Sequence, residues 1–433
     1  MTTLNLIGVS ILYKLVSYRS LVNTITRVLT DKHMKHGLVA KLLKYSIKFT
    51  VFKLFTGGQT FHECEGIVKT LKDRHNVYTI LDHSTEESES EGSMDENLKK
   101  KIELLYQIAA SRVGSHVKFI PIKLTALVSS KVLERITKFQ DSNSSSKVDA
   151  TRVEDMLDED ELKAYRTGID RVKQLCSASS NVKIGILLDA EQSHRQPGIE
   201  FIYREVAGEF NTMNPVVWNT YQMYLTRTTK ALQDDVKEAK TRSLAQSLTH
   251  SITHLLTHSL THSLNFRGYI LACKLVRGAY MKSETKNAQD VDRSTPLCNS
   301  KSDADDNYNK AIELLVSEIS ISNSESAHSN VRVFIATHNR QSIDYTTRLM
   351  NEHNLPTSHE AIHFAQIKGM SDHITSALGQ CAYNTYKLVP YGAFEEILPW
   401  LLRRLDENQD VFGAMQSELH LYHAELTNRL KFF

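Results

Sequence analysis

The sequence predicts an α/β protein, a (β/α)8 barrel of the TIM type preceded by an N-terminal helical arm. Eight short apolar runs rich in β-branched residues recur along the 433 residues, separated by stretches of helical periodicity. In most runs polar residues gather toward the C-terminal end, which is typical of parallel strands buried on both faces. No GxGxxG motif follows any run, which counts against the alternative, an open doubly wound sheet.

The eight predicted strands span most of the chain after residue 75. They cover residues 76–81, 117–126, 182–190, 216–225, 269–276, 331–338, 362–367 and 386–390. Active sites of such barrels lie at the C-terminal ends of the strands. We therefore look for catalytic residues there.

Residues 1–60 form a basic arm, which we separate from a barrel domain at 61–433. The arm carries nine Lys and Arg residues and a single acid, Asp31. This pattern is typical of a mitochondrial targeting segment or a helix on a membrane surface, and a solvated surface helix is the alternative. No apolar run approaches about 18 residues, so we expect no membrane-spanning helix.

Composition excludes several other classes of protein. The formal net charge of +2 gives no indication of nucleic-acid binding. Five scattered cysteines without a CxxC motif predict neither a disulfide framework nor a zinc site.

Three segments resemble insertions into the barrel, near residues 84–97, 141–150 and 243–264. The first two are polar and are expected to be loops. The third contains a four-residue repeat that places His250, His254, His258 and His262 at helical spacing. Stacked histidines can bind a metal, but no carboxylate or cysteine lies nearby, so we interpret the repeat as low-complexity sequence and expect no metal.

Several strand ends carry polar residues that a catalytic site needs. Lys123 ends the second run, and a lysine in an apolar strand is costly unless it is paired or lines a cavity. Asp189 ends the third run and Gln222 lies in the fourth. After the fifth, Gly278 and Ala279 allow the backbone to approach a ligand closely. Thr337, His338 and Asn339 follow at the sixth.

A helix after the last strand carries adjacent Arg403 and Arg404, with Glu407 one turn later. Paired guanidinium groups suit bidentate capture of a carboxylate, and Glu407 is spaced to orient either arginine. Each signal has a structural alternative. The two arginines could lie on a solvated helix face, His338 could be a core histidine, and Lys123 could extend its charged end to solvent from an edge. Taken together, these residues predict a site for a small anionic molecule at the barrel mouth.

The ordered motifs KLTAL, LLDAE, NTYQ, KLVRGAY, ATHN, KLVPYG and LPWLLRRLDEN resemble the proline dehydrogenase family, from about residue 52 to about residue 408. The resemblance implies an FAD enzyme that oxidises L-proline to Δ1-pyrroline-5-carboxylate in proline catabolism. Hydride would pass from the substrate ring carbon to flavin N5, and electrons would pass to a membrane quinone. It also implies a mitochondrial protein, peripherally associated with the matrix side of the inner membrane.

By the same resemblance, the substrate positions are Lys123, Asp189, Arg403, Arg404 and Glu407. The arginines would clamp the substrate carboxylate, Lys123 and Asp189 would form a buried pair beneath the ring, and Lys274 would lie beside flavin N5. The implied flavin contacts are Gln222, Lys274, Val276, Gly278, Ala279, Tyr280, Thr337, His338, Asn339 and Gln366.

Two substrate-site positions depart from the family pattern. Leu388 and Trp400 stand where proline dehydrogenases usually have tyrosines. The hydroxyproline dehydrogenase branch also lacks the first tyrosine, so trans-4-hydroxy-L-proline is the alternative substrate. Two alternatives are less favoured. One is a catalytically silent flavin-binding barrel. The other is an unrelated phosphate-binding barrel enzyme, and the absence of a glycine-rich phosphate loop near the last strands counts against it.

Overall fold

A computed structural model describes residues 3–16, 18–30, 37–83, 90–142, 150–253, 268–290, 292, 294–324, 330–407 and 409–430. Side chains are described in these ranges except at 243–253, at 403–418 and at single positions near the other gaps.

Eight parallel strands close into a barrel in chain order, as the sequence predicts. Each strand pairs with the next, and the last pairs with the first. The strands are β1 (Tyr78–His83), β2 (Val117–Lys123), β3 (Gly185–Asp189), β4 (Val217–Gln222), β5 (Leu271–Val276), β6 (Val331–Ala336), β7 (Ile362–Ile367) and β8 (Thr385–Tyr391).

Helices surround this barrel and precede it. Those of the arm are α1 (Thr3–Val16), α2 (Arg19–Thr30), α3 (Leu38–Ile47) and α4 (Lys53–Phe55), with a π-helical turn (Lys48–Phe52) between the last two. The barrel helices are α5 (Phe61–His75), α6 (Glu91–Ala110), α7 (Ser130–Ser142), α8 (Ala150–Met156), α9 (Glu159–Val182), α10 (Gln196–Phe210), α11 (Thr228–Thr253), α12 (Met281–Asp290), α13 (Lys301–Ser324), α14 (Arg340–Glu352), α15 (Asp372–Gln380), α16 (Phe394–Glu407) and α17 (Gln409–Leu430). No helix in the described ranges is long and apolar enough to cross a membrane.

Aromatic side chains fill the interior of the barrel. Phe119, Trp218, Phe334, His363 and Tyr386 pack edge to face or tilted, and the rings of Phe334 and His363 are 4.8 Å apart. Burial lowers the pKa of His363 to about 3, so this imidazole is neutral. This aromatic layer closes the lumen from below and confines any ligand to the C-terminal mouth.

The arm shares a hydrophobic core with the last helices. Tyr13, Phe52, Phe394 and Trp400 are buried in one cluster. The hydroxyl of Tyr13 donates to the carbonyl of Gly369 at 2.6 Å, in the loop after β7. In the same loop Lys368 donates to two carbonyls near the end of the arm, those of residues 53 and 54, at 2.9 and 2.6 Å. The arm is therefore packed into the fold over these residues.

The predicted insertions correspond only in part to loops. Residues 91–97 begin α6 because Ser90 caps the helix, accepting from the backbone N–H of Ser93, and Met94 is buried. The expectation of a loop over 84–97 is thus wrong for that half, whereas 84–89 lie outside the described residues. Residues 143–149 also lie outside them, between α7 and α8. Of the histidine repeat, the backbone to residue 253 continues α11, and the four histidine side chains lie outside the described part.

Candidate active site

The alternation of side chains along the strands brings four charged residues to the mouth of the lumen. Side chains two or four positions beyond a lumen-facing residue face the lumen again. Ile80, Phe119, Leu187 and Ala272 form the lumen core. Beyond them on β1, β2, β3 and β5 lie Asp82, Lys123, Asp189 and Lys274.

Asp189 and Lys274 form an ion pair across the mouth. Their Oδ1 and Nζ atoms are 2.8 Å apart, and the side chains are 38% and 12% exposed. Thr220 of β4 lies between them in the sheet, and its short side chain donates to the carbonyl of Leu188. This leaves space for Lys274 to reach β3.

The structure differs from the predicted buried pair of Lys123 and Asp189 at its Asp189 side. The two residues are register neighbours, but Asp189 forms its ion pair with Lys274 and is more than one third exposed. Lys274, which the resemblance places beside flavin N5, therefore also forms part of the charged cluster at the mouth.

Asp82 is a site residue that the sequence analysis missed. Its pKa is raised to about 6, mainly by burial and also by the negative charge of Asp189, while the positive charges of nearby lysines oppose the rise. Lys101, one of these, is buried and donates to the carbonyl of His83 at 2.8 Å. The sequence does contain a signal for this residue, because Asp82 directly follows the apolar run 76–81.

Gln222 and Glu191 connect the ends of β2, β3 and β4. Gln222 is buried, and its amide donates to the carbonyl of Glu191 at 2.7 Å. The Glu191 carboxylate accepts from the backbone N–H and the hydroxyl of Thr125 at 3.2 and 3.0 Å. Burial raises the pKa of Glu191. These contacts hold the loop after β3 in place.

The KLVRGAY segment forms a close backbone approach at the end of β5. Gly278 has a φ of +143°, and an added Cβ would lie 1.8 Å from a ring carbon of Tyr224. Arg277 holds the segment by donating to Asp305 and, at 2.6 Å, to the hydroxyl of Thr337. Val276, Ala279 and Tyr280 are partly exposed beside it.

The remaining expected flavin contacts have partners within the fold. His338 accepts from the backbone N–H of Ile367 at 3.0 Å, and Asn339 caps α14 by accepting from that of Ser342. Gln366 alternates with lumen-facing Ala365, and its amide oxygen accepts from Thr375 of α15. The structure thus directs Gln366 toward α15 and not into the lumen.

The two departures from the family pattern lie in different places. Leu388 is half-buried above Tyr386 and lines the lumen. Trp400 is 9% exposed and packs in the cluster beneath the arm.

The predicted carboxylate-binding residues Arg403, Arg404 and Glu407 lie on α16 by their backbone, but their side chains are outside the described part of the structure. In the described residues, no group of three metal-ligating side chains occurs.

Comparison with solved structures supports the barrel architecture. A crystal structure of proline utilization A from Bdellovibrio bacteriovorus, inactivated by N-propargylglycine, superposes with a TM-score of 0.66 at 17% identity over 91% of this chain. The chain spans 37% of the length of that protein. At this identity the likeness concerns the fold alone.

Curated relatives carry two related names. "Proline dehydrogenase 1, mitochondrial" of Dictyostelium discoideum is 29% identical over 92% of this chain and 68% of its own length. "Hydroxyproline dehydrogenase" of Xenopus laevis is 25% identical over 97% of this chain and 86% of its own length. "Proline dehydrogenase 2, mitochondrial" of Arabidopsis thaliana is 25% identical over 93% of this chain and 83% of its own length.

The profile of the family described as "Proline dehydrogenase" matches residues 67–417, from α5 into α17. That range contains all eight strands and every charged residue of the mouth. The protein is therefore an enzyme that belongs to the proline dehydrogenase family.

Proposed function

We propose that the protein is an FAD-dependent dehydrogenase that oxidises L-proline to Δ1-pyrroline-5-carboxylate in proline catabolism. A membrane quinone accepts its electrons, at the matrix side of the mitochondrial inner membrane. One observation carries the substrate assignment: the mouth holds two acids and two lysines above an aromatic layer. A cyclic amino acid carries one charge of each sign beside an apolar ring, and such a mouth complements it.

The residues around the mouth fit a flavin. Gly278 lets the backbone of this turn pack closely against the ring of Tyr224, and Val276, Ala279 and Tyr280 are partly exposed beside the turn, where a flavin would contact them. Gln222, Thr337 and His338 supply polar groups at the neighbouring strand ends. A flavin bound there would supply the acceptor for the hydride that leaves the substrate ring.

The protein's own side chains bind and orient the substrate. Lys274 and Lys123 place positive charge where negative charge develops, and Asp82 attracts the ring nitrogen of the zwitterion. Arg403 and Arg404 hold the carboxylate, with Glu407 orienting them. The aromatic layer excludes water from below.

Hydroxyproline is the second candidate substrate, favoured by one specific observation. Leu388 lines the lumen at the position where a tyrosine is usual in proline dehydrogenases. Leucine leaves more room than tyrosine, but offers no hydrogen bond to a 4-hydroxyl group. Relatives of both names align with the chain.

The test is anaerobic mixing of the purified yellow protein with L-proline and, separately, with trans-4-hydroxy-L-proline, while flavin absorbance is followed. We expect bleaching by proline at the lower concentration. Preferential bleaching by hydroxyproline would assign the second substrate. A bound flavin that neither compound bleaches would contradict the enzymatic proposal and favour a silent flavin-binding barrel.

A further inference from the structure

Exposed large apolar side chains are concentrated in the arm. Of thirteen such residues in the described structure, eight lie between residues 7 and 49. The arm is a small part of the chain, so this uneven distribution indicates an interaction surface.

Four of the eight form a continuous line on one face of the helix that starts at α3. Leu38, Leu42, Tyr45 and Phe49 are spaced by four, three and four residues and are 75%, 62%, 67% and 49% exposed. We call them the apolar stripe. Helical spacing places them on one face.

The opposite face of the same helix already contacts the protein core. Ala40, Ile47, Val51 and Phe52 are buried in the cluster shared with α16. Burial of the core face therefore does not account for the stripe. Tyr45 and Phe49 contact each other, with ring centroids 4.5 Å apart, so these two side chains form one continuous apolar patch.

Lysines border the stripe. Lys41, Lys44 and Lys48 follow at spacings of three and four, and Lys53 lies 5.0 Å from the ring of Phe49. Residues 37–56 contain no acid. Lys44 forms an ion pair with Glu395 of α16, and the Glu395 side chain is two-thirds exposed. Lys48 lies 5.9 Å from the ring of Phe394 in α16. Apart from the Lys44–Glu395 pair, the helix thus combines an apolar face with a positive rim.

We propose that the apolar stripe inserts into the headgroup region of an anionic lipid bilayer, with the helix parallel to the membrane surface. Leucine and aromatic side chains enter the acyl boundary, and lysines beside them bind anionic headgroups. A second copy of the chain fits less well, because it would bring two lysine rims together. This proposal rests on the proposed reaction with a membrane quinone, and it names the surface by which the enzyme contacts the membrane.

The experiment is co-sedimentation of the full-length flavoprotein with phosphatidylcholine vesicles, with or without cardiolipin. We expect binding to the cardiolipin vesicles that weakens with salt. The L42S/Y45S variant should bind roughly tenfold or more weakly, because two large apolar side chains no longer transfer into lipid. K41E should weaken binding to cardiolipin vesicles specifically.

A matched control is Y106S/L421S, which removes two side chains that are 49% and 50% exposed elsewhere. This control should bind vesicles as the unmodified protein does. Proline oxidation with a soluble dye acceptor should be unchanged in all three variants, which separates membrane binding from the reaction. If the unmodified protein ignores both vesicles, or L42S/Y45S binds normally, the proposal is wrong. A dimer in solution that L42S/Y45S abolishes, without vesicle binding, would assign the stripe to a second copy instead.

Discussion

Among the residues of the mouth, Asp82 couples pH to stability. Its folded-state pKa of about 6 exceeds its ordinary value of 3.8, so the folded protein holds that proton more tightly than the unfolded chain. Its contribution to stability is present below pH 4 and is lost as pH rises through 6. We expect D82N to raise the free energy of unfolding by about 1–2 kcal/mol at pH 8 and to change it little at pH 4.

Urea unfolding of D82N and the unmodified protein at both pH values checks this prediction. An equal effect at pH 4 and pH 8 would show that the carboxyl charge is not its cause. If Asp82 also attracts the ring nitrogen, the same variant should raise KM for proline.

Lys274 should matter more for catalysis than for stability. Its partner Asp189 remains 38% exposed, so water can solvate the carboxylate when the lysine is removed. We expect K274M to lower kcat by roughly a hundredfold, because a cation at the site of developing negative charge is lost. Its Tm should fall by only a few degrees.

Single-turnover flavin reduction and thermal unfolding measure the two effects. K173M is a matched control, since it breaks the Lys173–Glu209 pair, of the same 2.8 Å length, on the outer surface. Similar losses of activity in K274M and K173M would exclude a special role for Lys274.

At the scale of single elements, the turn after β5 depends on glycine. Gly278 combines a φ of +143° with ring atoms of Tyr224 where a Cβ would lie. We expect G278A to lose bound flavin and to destabilise the fold by more than about 1 kcal/mol. The measurement is flavin content per protein, together with circular dichroism.

Gly66 in α5 provides the opposite control, because nothing lies within 4 Å of its added Cβ. G66A should stabilise the protein by about 0.5–1 kcal/mol and retain its flavin. If G278A keeps full flavin content, the turn does not form the cofactor approach.

At the scale of the whole molecule, the arm and the last helices form one core. A chain lacking residues 1–55 would expose Phe394 and Trp400, which the arm now buries. We expect this truncated chain to aggregate or to lose most of its Tm, in expression and thermal-unfolding experiments. Unchanged solubility and Tm would instead identify the arm as a removable segment, as a targeting sequence is.

Much of the barrel was predictable because its signal is local. A parallel strand buried on both faces needs an apolar, β-branched run, and all eight runs became strands. The end of each run also indicated where Lys123, Asp189 and Gln222 lie. The prediction of a loop was wrong for residues 91–97. This polar stretch forms a helix because Ser90 caps it and Met94 is buried.

The sequence alone determined the eight strands and the positions of Lys123, Asp189 and Gln222 at their ends, since both follow from periodicity over a few residues. Only the tertiary structure decided which side chains meet there. Asp189 pairs with a lysine 85 positions away because a small threonine separates their strands, and closure of the barrel brings Asp82 beside them. It also decided that the arm helix buries one apolar face and exposes another, because the partner surface comes from the far end of the chain.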